Sequence, residues 1–182
     1  MNSQHFEQRV GVYVDVQNMY YSAKNLYKAK VNFKEILHTA VSGRVLVRDI
    51  AYVIKADIKE ERNFFEALSK IGFEVKTKDL QTFVGGAKKG DWDIGIAMDT
   101  IELAPKLDTI VLVSGDGDFI PLVEYQRWGL GREVEVAAFS KTASGKLREA
   151  TDRFTSIEEI PKILLKSSKA TRTTRTPRKT AK

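Results

Sequence analysis

Two carboxylates stand where an apolar run stops. Ile110, Val111, Leu112 and Val113 lead straight into Ser114-Gly115-Asp116-Gly117-Asp118-Phe119. A short apolar run bounded by turn residues reads as a strand buried on both faces. Ligands of open α/β sheets bind just beyond the C-terminal ends of such strands. Asp15 repeats the pattern: Val10, Val12 and Val14 with Tyr13 read as a strand, Asp15 is its tip, and Asn18 follows near the start of a helix. Asp91, Asp93 and Asp99 lie in a third segment, residues 91–103. Carboxylates gathered in one cleft repel each other unless a divalent cation neutralises them. The chain has no cysteine, and its two histidines are His5 and His38. Thiolate and multi-histidine sites are therefore excluded, and an all-oxygen site favours Mg²⁺ or Mn²⁺. Such an ion polarises a phosphate oxygen and activates water. Phosphodiester hydrolysis is the natural reaction class, and no Ser-His-Asp arrangement competes with it.

Each acid also has an ordinary explanation. Asp15 or Asn18 suits a helix N-cap. Asp91 and Asp93 suit the positive end of a helix dipole. Asp99 has less of one, because it sits mid-helix among Ile96, Ala97, Met98 and Ile101. Asp93 and Asp99 are six residues apart and point in different directions on a helix of 3.6 residues per turn. One of them faces the site.

The elements that must position these acids alternate in type. Helical spacing runs through Tyr20, Ala23, Leu26 and Tyr27, and again through Phe33, Ile36, Leu37, Ala40 and Val41. Residues 48–56 read as a buried strand. Residues 59–71 read as a helix stopped by Gly72, with Phe64 and Phe65 in the core. Residues 73–78 alternate as an edge strand does. Residues 81–90, with Gly85, Gly86 and Gly90, read as a mobile loop whose Lys88 and Lys89 form a basic lip for an anionic substrate. Pro105 ends the helix over 91–103. Residues 120–128 follow as a helix with Pro121 in its first turn and Phe119, Leu122, Val123 and Trp128 inside. Residues 133–139 are a fifth strand, and 144–150 a short helix that brings Lys146 and Arg148 near the strand tips. A last short element spans 157–165. This exchange argues for an α/β fold, a doubly wound, mostly parallel sheet of about five strands flanked by helices. In that architecture Asp15 and the Asp116/Asp118 pair share one edge, and they converge if their strands are neighbours.

Charge divides the chain into parts. Residues 166–182 carry seven of the 30 basic residues and none of the 24 acids, so the body is near neutral despite a net charge of +6. The tail is rich in Ser, Thr, Lys and Arg and is expected to be disordered. It is either a solvated terminus or a source of salt-dependent affinity for phosphate backbones. Residues 1–9 read as a polar N-terminal arm and 10–165 as the folded domain. No apolar run approaches the roughly 18 residues of a membrane span, and the first residues lack a secretory h-region. No membrane partner and an intracellular, cytoplasmic setting are the simplest expectations.

Taken together, Asp15-x-x-Asn18, Lys89-Gly90-x-x-Asp93 with Asp99 beyond it, and Ser114-Gly115-Asp116-Gly117-Asp118-Phe119 resemble the NYN domain in its LabA-like branch, a PIN-like fold related to flap nucleases. The resemblance covers roughly residues 10–159. It implies a parallel sheet in the order 3-2-1-4-5 and metal-dependent cleavage of RNA, endonucleolytic by expectation. By motif, Asp15, Asp93, Asp116 and Asp118 are the acids around one or two Mg²⁺ or Mn²⁺ ions. Asn18 and Ser114 support them by hydrogen bonding, Lys89 contacts substrate phosphate, and Asp99 also falls on an acidic position of the pattern. A homodimer is left open. Two other readings stand beside the ribonuclease: a nucleic-acid-binding or regulatory protein that keeps the fold but turns over poorly, and a phosphatase or phosphotransfer domain. Against the last, Asp15-Val16-Gln17-Asn18 lacks an Asp-x-Asp pair.

Overall fold

β-Branched and apolar runs at period two build the sheet, and helices with one apolar stripe cover it. The computed structural model describes residues 7–55, 59–82 and 88–166. Its main sheet has six strands, β1 (Arg9–Asp15), β2 (Val45–Lys55), β3 (Glu74–Asp79), β4 (Thr109–Val113), β5 (Glu133–Ala138) and β6 (Arg153–Ser156). All neighbours are parallel, in the order β3-β2-β1-β4-β5-β6. The helices are α1 (Val16–Tyr27), α2 (Phe33–Val41), α3 (Lys59–Ile71), α4 (Asp93–Leu103), α5 (Ile120–Glu124) and α6 (Gly145–Ala150).

Alternation along each strand sends side chains to opposite faces, so the sheet has two cores. Val12, Val14, Ala51, Val111 and Val113 meet Met19 and Ala23 of α1, Ile36 of α2 and Leu68 of α3. Tyr13, Ile50, Tyr52, Leu112 and Val136 meet Ile96 of α4, Val123 of α5 and Leu147 of α6 on the other face. Phe64 and Phe65 are half-buried against the first core, as their helical spacing predicts.

The expected order 3-2-1-4-5 is present, with one strand added at the far edge. The sequence reading places no strand between its short helix at 144–150 and its last element. Residues 153–156 are a four-residue edge strand whose side chains are only partly buried, too short for a periodic signal to emerge. The last element is likewise resolved differently: residues 157–159 form one 3₁₀ turn, and Leu164–Lys166 pairs antiparallel with Ala29–Val31. Lys166 thus belongs by its backbone to the fold rather than the tail. The remainder of the tail, and residues 1–6 of the arm, lie outside the described residues. In the expected loop at 81–90, Gln81–Thr82 pairs antiparallel with Lys88–Lys89, and Gly85 and Gly86 lie outside the described residues.

Trp128 is not an inner residue. After α5 the chain makes a π turn over Tyr125–Gly129. The wider turn carries Gln126 inward and leaves Trp128 77% exposed, with the Arg127 guanidinium 4.8 Å from its ring centroid.

One buried ion pair ties a helix to the sheet. Arg44, just past α2, donates from Nη1 and Nη2 to Glu135 of β5 at 3.1 and 3.0 Å, and from Nη2 to the Ala40 carbonyl at 2.6 Å. Both side chains are almost wholly buried. Removing one partner leaves the other charged and desolvated. Glu135→Ala is therefore expected to lower unfolding free energy by about 3–5 kcal/mol, measured by urea denaturation.

Candidate metal centre

Because β1 and β4 are adjacent and parallel, their C-terminal ends meet. Val14 lies opposite Val113, so Asp15 and Ser114 follow side by side. Asp15 is the N-cap of α1: its Oδ1 accepts the Asn18 backbone N–H at 3.0 Å. This is why α1 begins at Val16, ahead of its expected start. Ser114 Oγ donates to Asp15 Oδ2 at 3.3 Å. Asn18 Oδ1 in turn accepts the Gly115 N–H at 3.0 Å, fastening the loop after β4 to the start of α1. Within that loop Asp116 N–H donates to Ser114 Oγ at 3.3 Å and Asp118 N–H to Asp116 Oδ1 at 3.0 Å.

Gly115 sits in a tight space. A Cβ at this position would stand 3.0 Å from the Ala143 backbone. The Ser144 N–H donates to the Gly115 carbonyl at 2.9 Å, so the loop ahead of α6 closes directly over the acidic turn. Lys146 is exposed in the first turn of α6. Arg148, expected near the strand tips, lies 4.1 Å over the Phe154 ring of β6 instead. A guanidinium finds a cation–π partner there.

Asp93 arrives from the other side. Trp92 packs on Tyr52 with ring centroids 5.4 Å apart, and its Nε1 donates to the Val53 carbonyl at 3.0 Å. Its ring also covers Gly95, where a Cβ would come within 2.5 Å of it. Lys78 Nζ donates to the Asp91 carbonyl at 3.1 Å. These contacts pin the start of α4, and with it Asp93, against β2. The sequence reading did not single out Trp92, Lys78 or Gly95. The signal that could have found them is a Trp three residues before a Gly at a helix start, a spacing that lets the ring lie on bare backbone.

Asp93, Asp116 and Asp118 each offer a carboxylate oxygen within 4.8 Å of the others. Asp15 stands behind them, with both of its oxygens accepting hydrogen bonds inside the protein. Asp99 is not brought to the group. Its Oδ2 accepts from Tyr52 OH at 2.6 Å, and Lys76 Nζ donates to both of its oxygens at 2.8 and 2.9 Å. About one and two-thirds turns of α4 thus separate an acid at the strand tips from an acid paired over the sheet. Lys88 and Lys89 sit on a two-residue strand just before α4.

The electrostatics carry the mark of crowding. Burial pushes the Asp93 carboxyl up to about 6, and Asp91, Asp116, Asp15 and Asp118 add to the push. Burial also raises Asp15, against the hydrogen bond from Asn18, and Asp116 raises it further. Three oxygen donors of like charge, close together, fit a hard divalent cation.

A folded value above the ordinary 3.8 means that the fold holds the Asp93 proton more tightly than the unfolded chain does. The stabilisation is present at low pH and is lost as pH rises through about 6. In metal-free buffer, Asp93→Asn is expected to match the original protein near about pH 4, the ordinary carboxyl range, and to melt higher than it at about pH 7.5. Thermal melts at the two pH values measure this. A variant less stable than the original at the higher pH would contradict it.

Residues 9–158 match the NYN domain family model. The chain is 27% identical over 168 residues to the Low amplitude and bright protein LabA of Synechococcus elongatus, covering 88% of this chain and 90% of that one. A crystal structure of a protein of unknown function from Vibrio parahaemolyticus, VPA0982, superposes with a TM-score of 0.81 at 34% identity, over 90% of this chain and 99% of that one. Sheet order, the acidic cluster at the strand tips and these likenesses agree: the chain belongs to the NYN domain family.

Proposed function

We propose that this protein is a metal-dependent ribonuclease that hydrolyses RNA phosphodiester bonds at the Asp93–Asp116–Asp118 cluster. The observation that carries the reading is the convergence of three carboxylates from two separate elements within 4.8 Å. Family membership supports a nucleic-acid substrate, and RNA over DNA rests on that membership. Asp93, Asp116 and Asp118 would hold Mg²⁺ or Mn²⁺. When bound, such an ion lowers the pKa of water and stabilises charge on the phosphate and the leaving oxygen.

The chain's own residues do the rest. Ser114 and the α1 N-terminus keep Asp15 aimed at the cluster, where it adds negative charge behind the ligands. Asn18 fixes Gly115, and so the direction in which Asp116 and Asp118 point. Lys146, exposed in the first turn of α6, and Lys88 and Lys89, whose backbone lies just before α4, would supply positive charge for the substrate backbone. Arg148 is engaged by Phe154 and contributes at most from the margin. Asp99 organises Tyr52 and Lys76 and stays outside the chemistry. A cytoplasmic location suits a cysteine-free chain, and no helix among the described residues is long and apolar enough to cross a membrane.

One observation favours a second reading, an RNA-binding protein with little turnover. Each Asp15 oxygen accepts an internal hydrogen bond, which leaves fewer lone pairs to face an ion.

Incubation of a labelled single-stranded RNA with Mn²⁺, Mg²⁺ or EDTA separates the two. Cleavage with either ion and none in EDTA is expected. Asp116→Asn and Asp93→Asn should each lower the rate by about 100-fold or more while the protein keeps its circular dichroism spectrum. RNA that is bound but left intact under every divalent ion would overturn the enzyme. Asp99→Asn serves as the internal contrast. It should leave cleavage within about threefold and instead lower unfolding free energy by about 1.5–3 kcal/mol, through its charged hydrogen bonds. Loss of activity equal to that of Asp93→Asn would put Asp99 back in the site.

A further inference from the structure

Next to the acids the surface turns apolar. Helices α4 and α5 leave between them an open groove of about 350 Å³. Asp93 and Asp118 stand at one end of it, and Ile94, Ala97, Leu122 and Tyr125 line the rest. Two large apolar side chains are left in solvent here, Ile94 at 77% and Tyr125 at 49% exposure. Single exposed hydrophobics need no explanation, but a groove of them beside a charged cluster marks a binding site.

The groove's polarity matches one kind of ligand. A nucleotide carries its charge on the phosphate and presents a flat, largely apolar base a few ångströms away. Here two carboxylates belong both to the ion cluster and to the groove, so a phosphate at the cluster hands its neighbouring base directly to apolar walls. The ring of Tyr125 is set for such a contact. It lies on Gly129, where a Cβ would be 3.0 Å from its Cδ2 and 3.1 Å from its Cε2. A glycine here thus lets the phenol pack close to the backbone while about half of the residue stays in solvent. Bases stack on aromatic faces, whatever their identity. A base inside a duplex already has both faces covered, so only an unpaired base can enter.

We propose that the α4–α5 groove is a subsite for an unpaired nucleobase, with Tyr125 as its stacking platform and Ile94 and Leu122 as its walls. Its placement beside the scissile phosphate rests on the nuclease reading. The protein then selects a single-stranded segment by the base next to the bond it cuts, and does so with little sequence preference.

The test is fluorescence anisotropy with a labelled single-stranded RNA of about 10 nucleotides, roughly one site's span, in Ca²⁺ so that cleavage is suppressed. Tyr125→Ala should weaken binding about tenfold, the scale of one lost stacking contact. Tyr125→Phe should bind like the original protein, and the same sequence as a duplex should bind all three alike. Equal affinity of Tyr125→Ala and the original for the single strand would overturn the subsite. So would a Tyr125→Ala protein that sediments as a monomer where the original is a dimer, because a second copy would then cover the groove. Cleavage by the original protein in Mn²⁺ separates the two claims. Cutting without Tyr125-dependent binding leaves the nuclease and removes the subsite, whereas Tyr125-dependent binding without cutting does the reverse.

Discussion

Like charges held together must be held by something. At the C-terminal edge of this sheet Asp15, Asp93, Asp116 and Asp118 are close enough for Asp93 to feel the other three. None of them is relieved by a lysine or arginine within hydrogen-bonding distance among the described residues. The restraint comes from the backbone. Asp15 caps α1, Asp116 caps the turn that follows it, and Asn18 ties the two segments together. Backbone N–H groups are fixed donors and favour a carboxylate without neutralising it. Carboxylates held this way keep their direction without giving up their charge. The cost is visible in the raised Asp93 and Asp15 carboxyls, and active sites are where such costs concentrate.

The two ends of the acid set differ in how plainly the sequence declares them. Asp15 and Asp116 are legible because each follows a β-branched or apolar run, and a parallel sheet puts the ends of such runs on one edge. Adjacency of the two strands is not legible from either run alone, since strand order is decided by crossovers across the whole chain. Asp93 and Asp99 lie on one helix, and helical spacing says only that they diverge. The rotation of α4 decides between them, and Trp92 sets that rotation through its bond to Val53 and its fit over Gly95. The fit over Gly95 is local, but the bond to Val53 joins residues 39 apart in sequence, beyond the reach of local pattern. Asp99 then answers a local need, because half-buried Lys76 and the hydroxyl of the buried Tyr52 both donate to it.

The misplaced elements have the same origin. Trp128 is assigned inward by a 3.6-residue period, and the period changes at the π turn over Tyr125–Gly129. The sixth strand is four residues long, and Phe154 is its one apolar residue. Its place is set by β5, whose Glu135 to Ala138 pair with Arg153 to Ser156, rather than by its own sequence. The α/β class survives such errors because a sheet covered on both faces demands continuous apolar runs in its central strands, as in Thr109–Val113. Edge strands and turn types carry no such demand.

Topology also explains why the site draws on both layers. From β1 the chain passes through α1 and α2 on one face to reach β2, and it returns from β3 through α4 on the other face to reach β4. Strand order reverses between β1 and β4, and at such a switch point the flanking helices part and leave a crevice. Asp15 enters that crevice from the sheet itself, Asp116 and Asp118 from the turn beyond β4, and Asp93 from the helix that crosses over. The same parting leaves the outer side of α4 short of a neighbour, because α5 is only five residues long and gives way to the π turn. Acidic crevice and apolar groove are thus two consequences of one crossover. A ligand that uses both must be charged at one end and flat and apolar at the other, which is the shape of a nucleotide with its base unpaired.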